Sequence, residues 1–287
     1  MTATLLALLT FVGWGLGDIF AAVSSRRLGA IHSSIIITAF LVVVLGVFAP
    51  FMDTSGLTTT VMLQSSALGV ALGIGFLAFV QALRIGNPAL VGTIAGSYTG
   101  PAVILSVVFL DEVLSAGQVF FITVTIIGVI GASLDIRGLR KRSVKLDRSV
   151  AFSLVALCSW GIYFTFMKIP IGEAGWYWPS LIGTFSSLCL YLGVYFVIKR
   201  PSDARIPLRR GFLPALGNAL IGGGGTVMYN VALSYGNVSV VAPIAGSYLV
   251  LFVILASLVF KEPLSRQQTA GIAISLCGIV GISMLSS

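Results

Sequence analysis

Charge is what this sequence has least of. Only 9% of its 287 residues are Asp, Glu, Lys or Arg, where a soluble domain of this length carries about a quarter. No long polar stretch is left over to build a soluble domain. Apolar runs of about 20 residues recur along the chain, and each is long enough as a helix to cross about 30 Å of hydrocarbon. The class this implies is all-α and integral to the membrane. The first run, from Ala3, lacks the basic flank and small-residue cleavage site of a secretory signal and reads as a retained helix.

Other scarcities bear on chemistry. The three cysteines, Cys158, Cys189 and Cys277, lie inside apolar runs, where cysteine behaves as a small hydrophobe, so no disulfide is expected. The single His32 has no Cys or carboxylate neighbours, and no metal site or cofactor is expected. There is no GxxxxGK[ST] loop, so nothing on this chain would spend ATP. Gly15-Leu16-Gly17-Asp18 fits the GxGD pattern of membrane aspartyl proteases, and Pro88-Ala89-Leu90 and Pro214-Ala215-Leu216 supply its PAL tripeptide. Such an enzyme needs two acids sharing a proton. Asp53, Asp111, Asp135, Asp147 and Asp203 all fall at span ends or in loops, so the second acid is missing and the chain is not read as an enzyme.

What is abundant is repeated hydrophobic length. Ten spans are expected, near 3–23, 31–52, 62–83, 88–110, 116–134, 149–169, 177–198, 211–233, 238–260 and 266–286. Of the 17 Lys and Arg, all but Lys168 fall on one side of the membrane in this arrangement. Basic connections stay in the cytoplasm. This puts both termini outside and the basic linker 135–148 in the cytoplasm, in a plasma (inner) membrane of prokaryotic type. The net charge of +8 is thus a topology signal. It points to lipid headgroups as neighbours and not to nucleic acid. Trp176, Tyr177 and Trp178 fit an aromatic belt at headgroup depth.

The chain also repeats itself. From Gly86 it reads GNPALVGTIAGSYTGPAVILSVVFLDEVLS, and from Gly236 it reads GNVSVVAPIAGSYLVLFVILASLVFKEPLS. The two match at a constant offset of 150 without a gap, and Gly73, Gly75, Gly128 and Gly131 find partners at the same offset in Gly223, Gly225, Gly278 and Gly281. Trp14-Gly15 meets Trp160-Gly161 at an offset of 146. The chain thus divides into a first five-helix repeat over 1–134, the linker 135–148 and a second repeat over 149–287. A unit with an odd number of spans enters the membrane in opposite directions in its two copies. Inverted repeats of this kind build secondary transporters, which expose one central site to each side in turn.

On these residues, with the glutamates of LDEVLS and FKEPLS, the sequence resembles the drug/metabolite transporter superfamily, in particular its ten-helix EamA type. The resemblance covers the whole chain. It implies a ten-helix basket around a central cavity lined mainly by spans 1, 3, 4, 6, 8 and 9. It also implies export of amino acids or related metabolites. The alternatives are an uptake permease for sugars or other metabolites, and a lipid-linked substrate flippase or a non-transporting membrane partner. A monomer suffices for the inverted pair, and a dimer remains compatible. Glu112 and Glu262, beside loops, are expected to fix helix ends.

The candidate substrate-binding residues are the polar and aromatic groups inside the spans. Trp14, Ser97, Tyr98, Trp160, Ser247 and Tyr248 fall near mid-depth on repeated positions. A tyrosine hydroxyl there needs a partner, from a neighbouring helix or from substrate. Tyr163, Gln81 and Asn230 add hydrogen-bonding groups, with interhelical bonding as the structural alternative. Pro101 in span four has Leu251 at its matching position, so any proline kink is expected in one half only. Asp18 is the carboxylate inside a span, on the face of Trp14. Such an acid binds an amine or carries a coupling proton, unless it pairs with Arg84. Its repeat position holds Phe164. The absence of Lys or Arg at mid-depth argues against a highly anionic substrate.

Overall fold

The computed structural model describes residues 1–86, 88–133, 148–197, 208–260 and 265–285. Among these the fold is helical, with no strand. The helices are α1 (Thr2–Leu28), α2 (Ala30–Phe48), α3 (Thr59–Ile85), α4 (Pro88–Gly96), α5 (Thr99–Phe109), α6 (Ala116–Ser133), α7 (Arg148–Phe166), α8 (Lys168–Ala174), α9 (Tyr177–Val197), α10 (Leu208–Gly217), α11 (Gly223–Tyr235), α12 (Val238–Gly246), α13 (Tyr248–Phe260) and α14 (Arg266–Leu285). Among the described residues, seven helices are long and apolar enough to cross a membrane, and Ile94–Phe109 and Ala116–Ala132 are shorter apolar helices. The expectations for most of the basic linker and for Glu262 fall outside the described residues.

Local chemistry accounts for the boundaries. Two capping boxes start α6 and α14. The Ser115 hydroxyl accepts from the Gln118 backbone N–H at 3.2 Å while Gln118 Oε1 accepts from the Ser115 N–H at 2.9 Å. Ser265 and Gln268 repeat both bonds at 3.2 and 2.9 Å. Each box satisfies donors that the helix start would leave open, which is why Leu-Ser is spelled at the same place in both halves. Helix α1 ends at Gly29, whose φ of 79° suits a residue without a side chain. It therefore runs five residues past the expected end, because Ser24 and Ser25 turn their hydroxyls back onto the carbonyls of Ala21 and Ala22. Asp18 consequently lies ten residues from the helix end, about 15 Å along the axis.

Two expected spans are interrupted where the repeat is strongest. In the fourth, Ser97 and Tyr98 form a tight turn, their N–H groups bonding to Ile94 and Ala95 only three residues back. In the ninth, the break falls at Ser247, whose hydroxyl donates to the Pro243 carbonyl at 2.6 Å. Both copies of IAGSY break the helix, although the prolines sit at different places, Pro101 after one break and Pro243 before the other. The expectation of a kink in one half only is thus corrected. The eighth span is also composite, with a π-helical turn over Asn218–Gly222 joining α10 to α11. Pro214 inside α10 cannot donate to Arg210, and the Arg210 carbonyl accepts instead from Arg27 Nη1 at 2.6 Å.

Small residues hold the bundle together, as they do where lipid tails remove the hydrophobic drive between helices. Helices α6 and α14 run antiparallel in close contact. A Cβ placed on Gly128 would sit 2.6 Å from Ser275 Cα, and one on Gly278 would sit 2.7 Å from Thr125 N. Moving each residue of the first contact by 150 gives the second. Contacts of this reciprocal kind mark a two-fold axis, here one between antiparallel repeat mates. The same reciprocity brings the two breaks together: Gly96 meets Leu249 and Gly246 meets Thr99. It also sets Pro101 beside Gly161 and Leu251 beside Gly15.

One glutamate crosses between the halves. Asp111 takes a positive φ of 53°, a conformation Asp tolerates better than most residues. Glu112 follows it and lies buried. Its two carboxylate oxygens accept the N–H groups of Val238 and Ser239, at 2.7 and 2.8 Å. This caps the start of α12, where negative charge is favoured. Lys168 Nζ donates to the carbonyls of Leu233 and Gly236, each at 2.6 Å. The turn between α11 and α12 is thereby held from both sides by side chains from other elements. The aromatic trio pins another junction: Tyr177 donates to the Leu45 carbonyl and Trp178 Nε1 to the Asp53 carbonyl. Asp53 is held below the usual carboxylate range by hydrogen bonds from Ser55.

Candidate functional site

A cavity of about 100 Å³ lies among α1, α2, α3, α7, α9 and the composite segment α10–α11, with Tyr98 and Tyr248 entering its wall from the two broken helices. That is several times the room one water needs. Helices α2 and α9 supply walls that the expected lining of spans 1, 3, 4, 6, 8 and 9 did not include. Thr38 of α2 and Tyr191 of α9 are hydrogen-bonded to each other and both line the cavity. The close α3–α9 contact, where Ser187 donates to the Gly69 carbonyl at 2.6 Å, brings α9 inward.

Five of the ten candidate residues line this cavity: Trp14, Asp18, Tyr98, Trp160 and Tyr248. Trp14 is the hub. Its ring lies 5.6 Å from Tyr229 in a stacked arrangement and 5.5 Å from Tyr248 edge-on. Phe164 lies 5.0 Å from it. Its Nε1 donates to Thr226 Oγ1 at 3.0 Å. Asp18 is 9% exposed and accepts a hydrogen bond from the Tyr248 hydroxyl. Arg84 is not among the groups acting on it. Next to it, Asn218 of the π-helical turn donates to the Gly17 carbonyl at 2.7 Å, where a Cβ on Gly17 would lie 2.5 Å from Gly222 Cα. Single π turns of this sort recur at functional sites.

The other five candidates sit elsewhere. Asn230 lies one turn beyond the lining residue Thr226, and Tyr163 falls between the lining residues Trp160 and Phe164 without joining the lining itself. Asn230 Nδ2 donates to the Tyr163 hydroxyl at 3.1 Å and to Ser180 Oγ at 2.8 Å, while Tyr229 donates to the Phe164 carbonyl at 2.9 Å. The lining stops at Thr226 on the eighth span and at Thr184 on α9, and this buried network closes the bundle next to it, toward the ends where α11 finishes and α9 begins. Ser247 is buried at its helix break, bonded to Pro243. Ser97 is partly buried at the matching break and Gln81 partly buried on α3, both away from the lining.

Sequence reasoning missed Thr226, Asn218, Tyr191 and Phe164 as parts of this site. The repeat carried a usable signal for Thr226, which lies one residue after the paired glycine Gly225. The two glycines of that pair seat the two tryptophans. A Cβ on Gly225 would lie 3.0 Å from Trp14 Cδ1, and one on Gly75 would lie 2.5 Å from Trp160 Cδ1.

Burial, aromatic walls and, among the described lining residues, one carboxylate make a small site able to hold a ligand with one or two polar groups. Comparison with known proteins agrees with this architecture. A model of the EamA-like transporter family matches residues 1–134 and again residues 148–284. No curated protein matches the chain by sequence. A solved crystal structure, described only as that of a protein, matches all of this chain and 99% of the other at a TM-score of 0.75, with 14% identity. At that identity the match speaks for the fold alone. The doubled family match covers every described residue that lines the cavity, and the chain belongs to the EamA-like transporter family.

Proposed function

We propose that this protein is a secondary transporter of small polar metabolites, with amino acids and related amines as the leading substrates and export as the direction. Ten membrane crossings, arranged as two inverted five-helix halves, would surround the cavity described above. The basic connections would lie in the cytoplasm and both termini outside. The observation that carries the reading is the position of the cavity. It lies where the two halves meet at their broken helices, the place where secondary transporters bind substrate.

Transport in this reading is a rocking of one half against the other. Asp18 lies nearer the Leu28 end of α1 than its start, so the cavity is closer to the proposed cytoplasmic side. The Asn230–Tyr163–Ser180 network closes it on the other side. Opening outward parts that network and the Glu112 cap, and closes the cytoplasmic end. Asp18 binds an amine or carries a coupling proton, the two roles open to an intramembrane acid.

The test is uptake of labelled amino acids, amines and sugars by purified protein in liposomes, with and without a pH gradient. The reading requires saturable uptake of at least one class, lost in Tyr248→Ala. If Asp18 carries the proton, Asp18→Asn removes the pH dependence. Correctly inserted protein that moves none of these compounds would overturn the reading, and movement of labelled lipid instead would assign a flippase.

A further inference from the structure

The two-fold repeat of the site is broken at two places, and each break leaves a buried donor without a partner. Trp14 Nε1 has its acceptor in Thr226. At the matching position beside Trp160 the chain has Phe76, which accepts nothing, and Trp160 Nε1 has no hydrogen-bond partner. Tyr248 has its acceptor in Asp18. At the matching position beside Tyr98 the chain has Phe164, with ring centroids 4.7 Å apart, and the Tyr98 hydroxyl has no partner either. Tyr98 is 0% exposed and Trp160 7% exposed, and both line the cavity together with Asp18, Phe76 and Phe164. Their rings lie 6.0 Å apart. Leaving a buried donor unpartnered is costly, so two in one cavity wall point to a ligand that supplies the acceptor.

Charge narrows the ligand further. Among the described residues, Asp18 is the only carboxylate in the lining, and no Lys, Arg or His joins it. Aromatic walls beside a single carboxylate suit a cation, which gains from both the charge and the ring faces. A second negative group on the ligand would find no positive partner and would remain uncompensated in a buried site. Resting on the transport reading but favouring its amines over its amino acids, we propose that the cavity selects amines of net charge +1 that carry an uncharged oxygen close to the nitrogen, such as amino alcohols and amino amides. The ammonium sits on Asp18, and the oxygen accepts from the Tyr98 hydroxyl and Trp160 Nε1. The substitution of Phe at 76 and 164 is what makes the site directional toward such a ligand.

The test is equilibrium binding to the purified full chain in detergent, with tritiated valinol displaced by isobutylamine, valine and 3-methylbutanoate. Valinol is expected to bind most tightly, isobutylamine at least about tenfold more weakly for lack of the oxygen, valine more weakly than valinol for its carboxylate, and 3-methylbutanoate not at all. Asp18→Asn should abolish valinol binding. Tyr98→Phe removes a hydroxyl that bonds nothing in the protein, so it should leave the fold intact while bringing valinol down to the level of isobutylamine. Phe76→Thr, which places at 76 the residue found at 226, should satisfy Trp160 Nε1 and narrow the advantage of valinol over isobutylamine. Absence of saturable valinol binding, equal displacement by isobutylamine, tighter binding of valine, or displacement by 3-methylbutanoate would each overturn the proposal. These outcomes are separate from the transport reading: uptake of a compound outside this class would leave transport standing and this proposal refuted. Binding of valinol without uptake of anything would do the reverse.

Discussion

Trp14 and Trp160 occupy equivalent positions, and so do Tyr248 and Tyr98, yet only the first of each pair is fully bonded within the protein. This difference gives a direct expectation for stability. Tyr248→Phe strips the donor from Asp18 and should cost about 1–3 kcal/mol, whereas Tyr98→Phe deletes a hydroxyl with nothing to lose and should be neutral or slightly stabilising. Thermal unfolding of the two variants in the same detergent reads the difference. Equal losses would mean that the Tyr98 hydroxyl is paired in the folded protein. The sequence made Asp18 and the four aromatic residues visible as candidates, because each is a polar or ring-bearing group inside an apolar run. It could not show which of them lacked a partner, since that depends on Phe76 and Phe164, ordinary apolar residues until the halves are superposed in space.

Among the elements, the turn between α11 and α12 shows how an apparently local residue acts at a distance. Glu112 looked like a stop for its own helix. It caps a helix of the opposite half through the Val238 and Ser239 N–H groups. Glu112→Gln leaves one oxygen for two donors, and an unsatisfied buried N–H costs about 1–3 kcal/mol. Hydrogen exchange at Val238 and Ser239 should therefore speed up by at least about tenfold while α6 and α14 are unaffected. Unchanged exchange would show that the cap contributes nothing to holding this end closed. The capping boxes at Ser115 and Ser265 were legible as a repeated Leu-Ser, but the helix breaks inside IAGSY were not. Ser and Tyr fit a helix well enough by propensity, and the break comes from two copies of the segment meeting, Gly96 against Leu249 and Gly246 against Thr99.

For the whole molecule, the sequence carried the class and the division into halves, and the structure adds their reciprocity. A duplication can be read from spacing alone. That its copies face each other antiparallel, through Gly128 with Ser275 and Gly278 with Thr125, requires the third dimension. The walls contributed by α2 and α9 were also out of reach, because Thr38 and Tyr191 belong to no repeated motif. The proposed orientation rests on the charges: a cysteine placed at Ser143 in the basic linker should resist an impermeant thiol reagent applied to intact cells and react once they are opened. Labelling from outside would invert the proposed topology.

The central claim is that one cavity at the meeting of the two halves is exposed to each side in turn. Leu72 lines that cavity from α3. With Cys158, Cys189 and Cys277 replaced by alanine, a cysteine at Leu72 can be tested with an impermeant thiol reagent added to one side or the other of sealed vesicles of known orientation. The account predicts reaction from both sides, each blocked by a bound substrate. Reaction confined to one side under every condition would contradict it, and the cavity would then be a pocket and not a path.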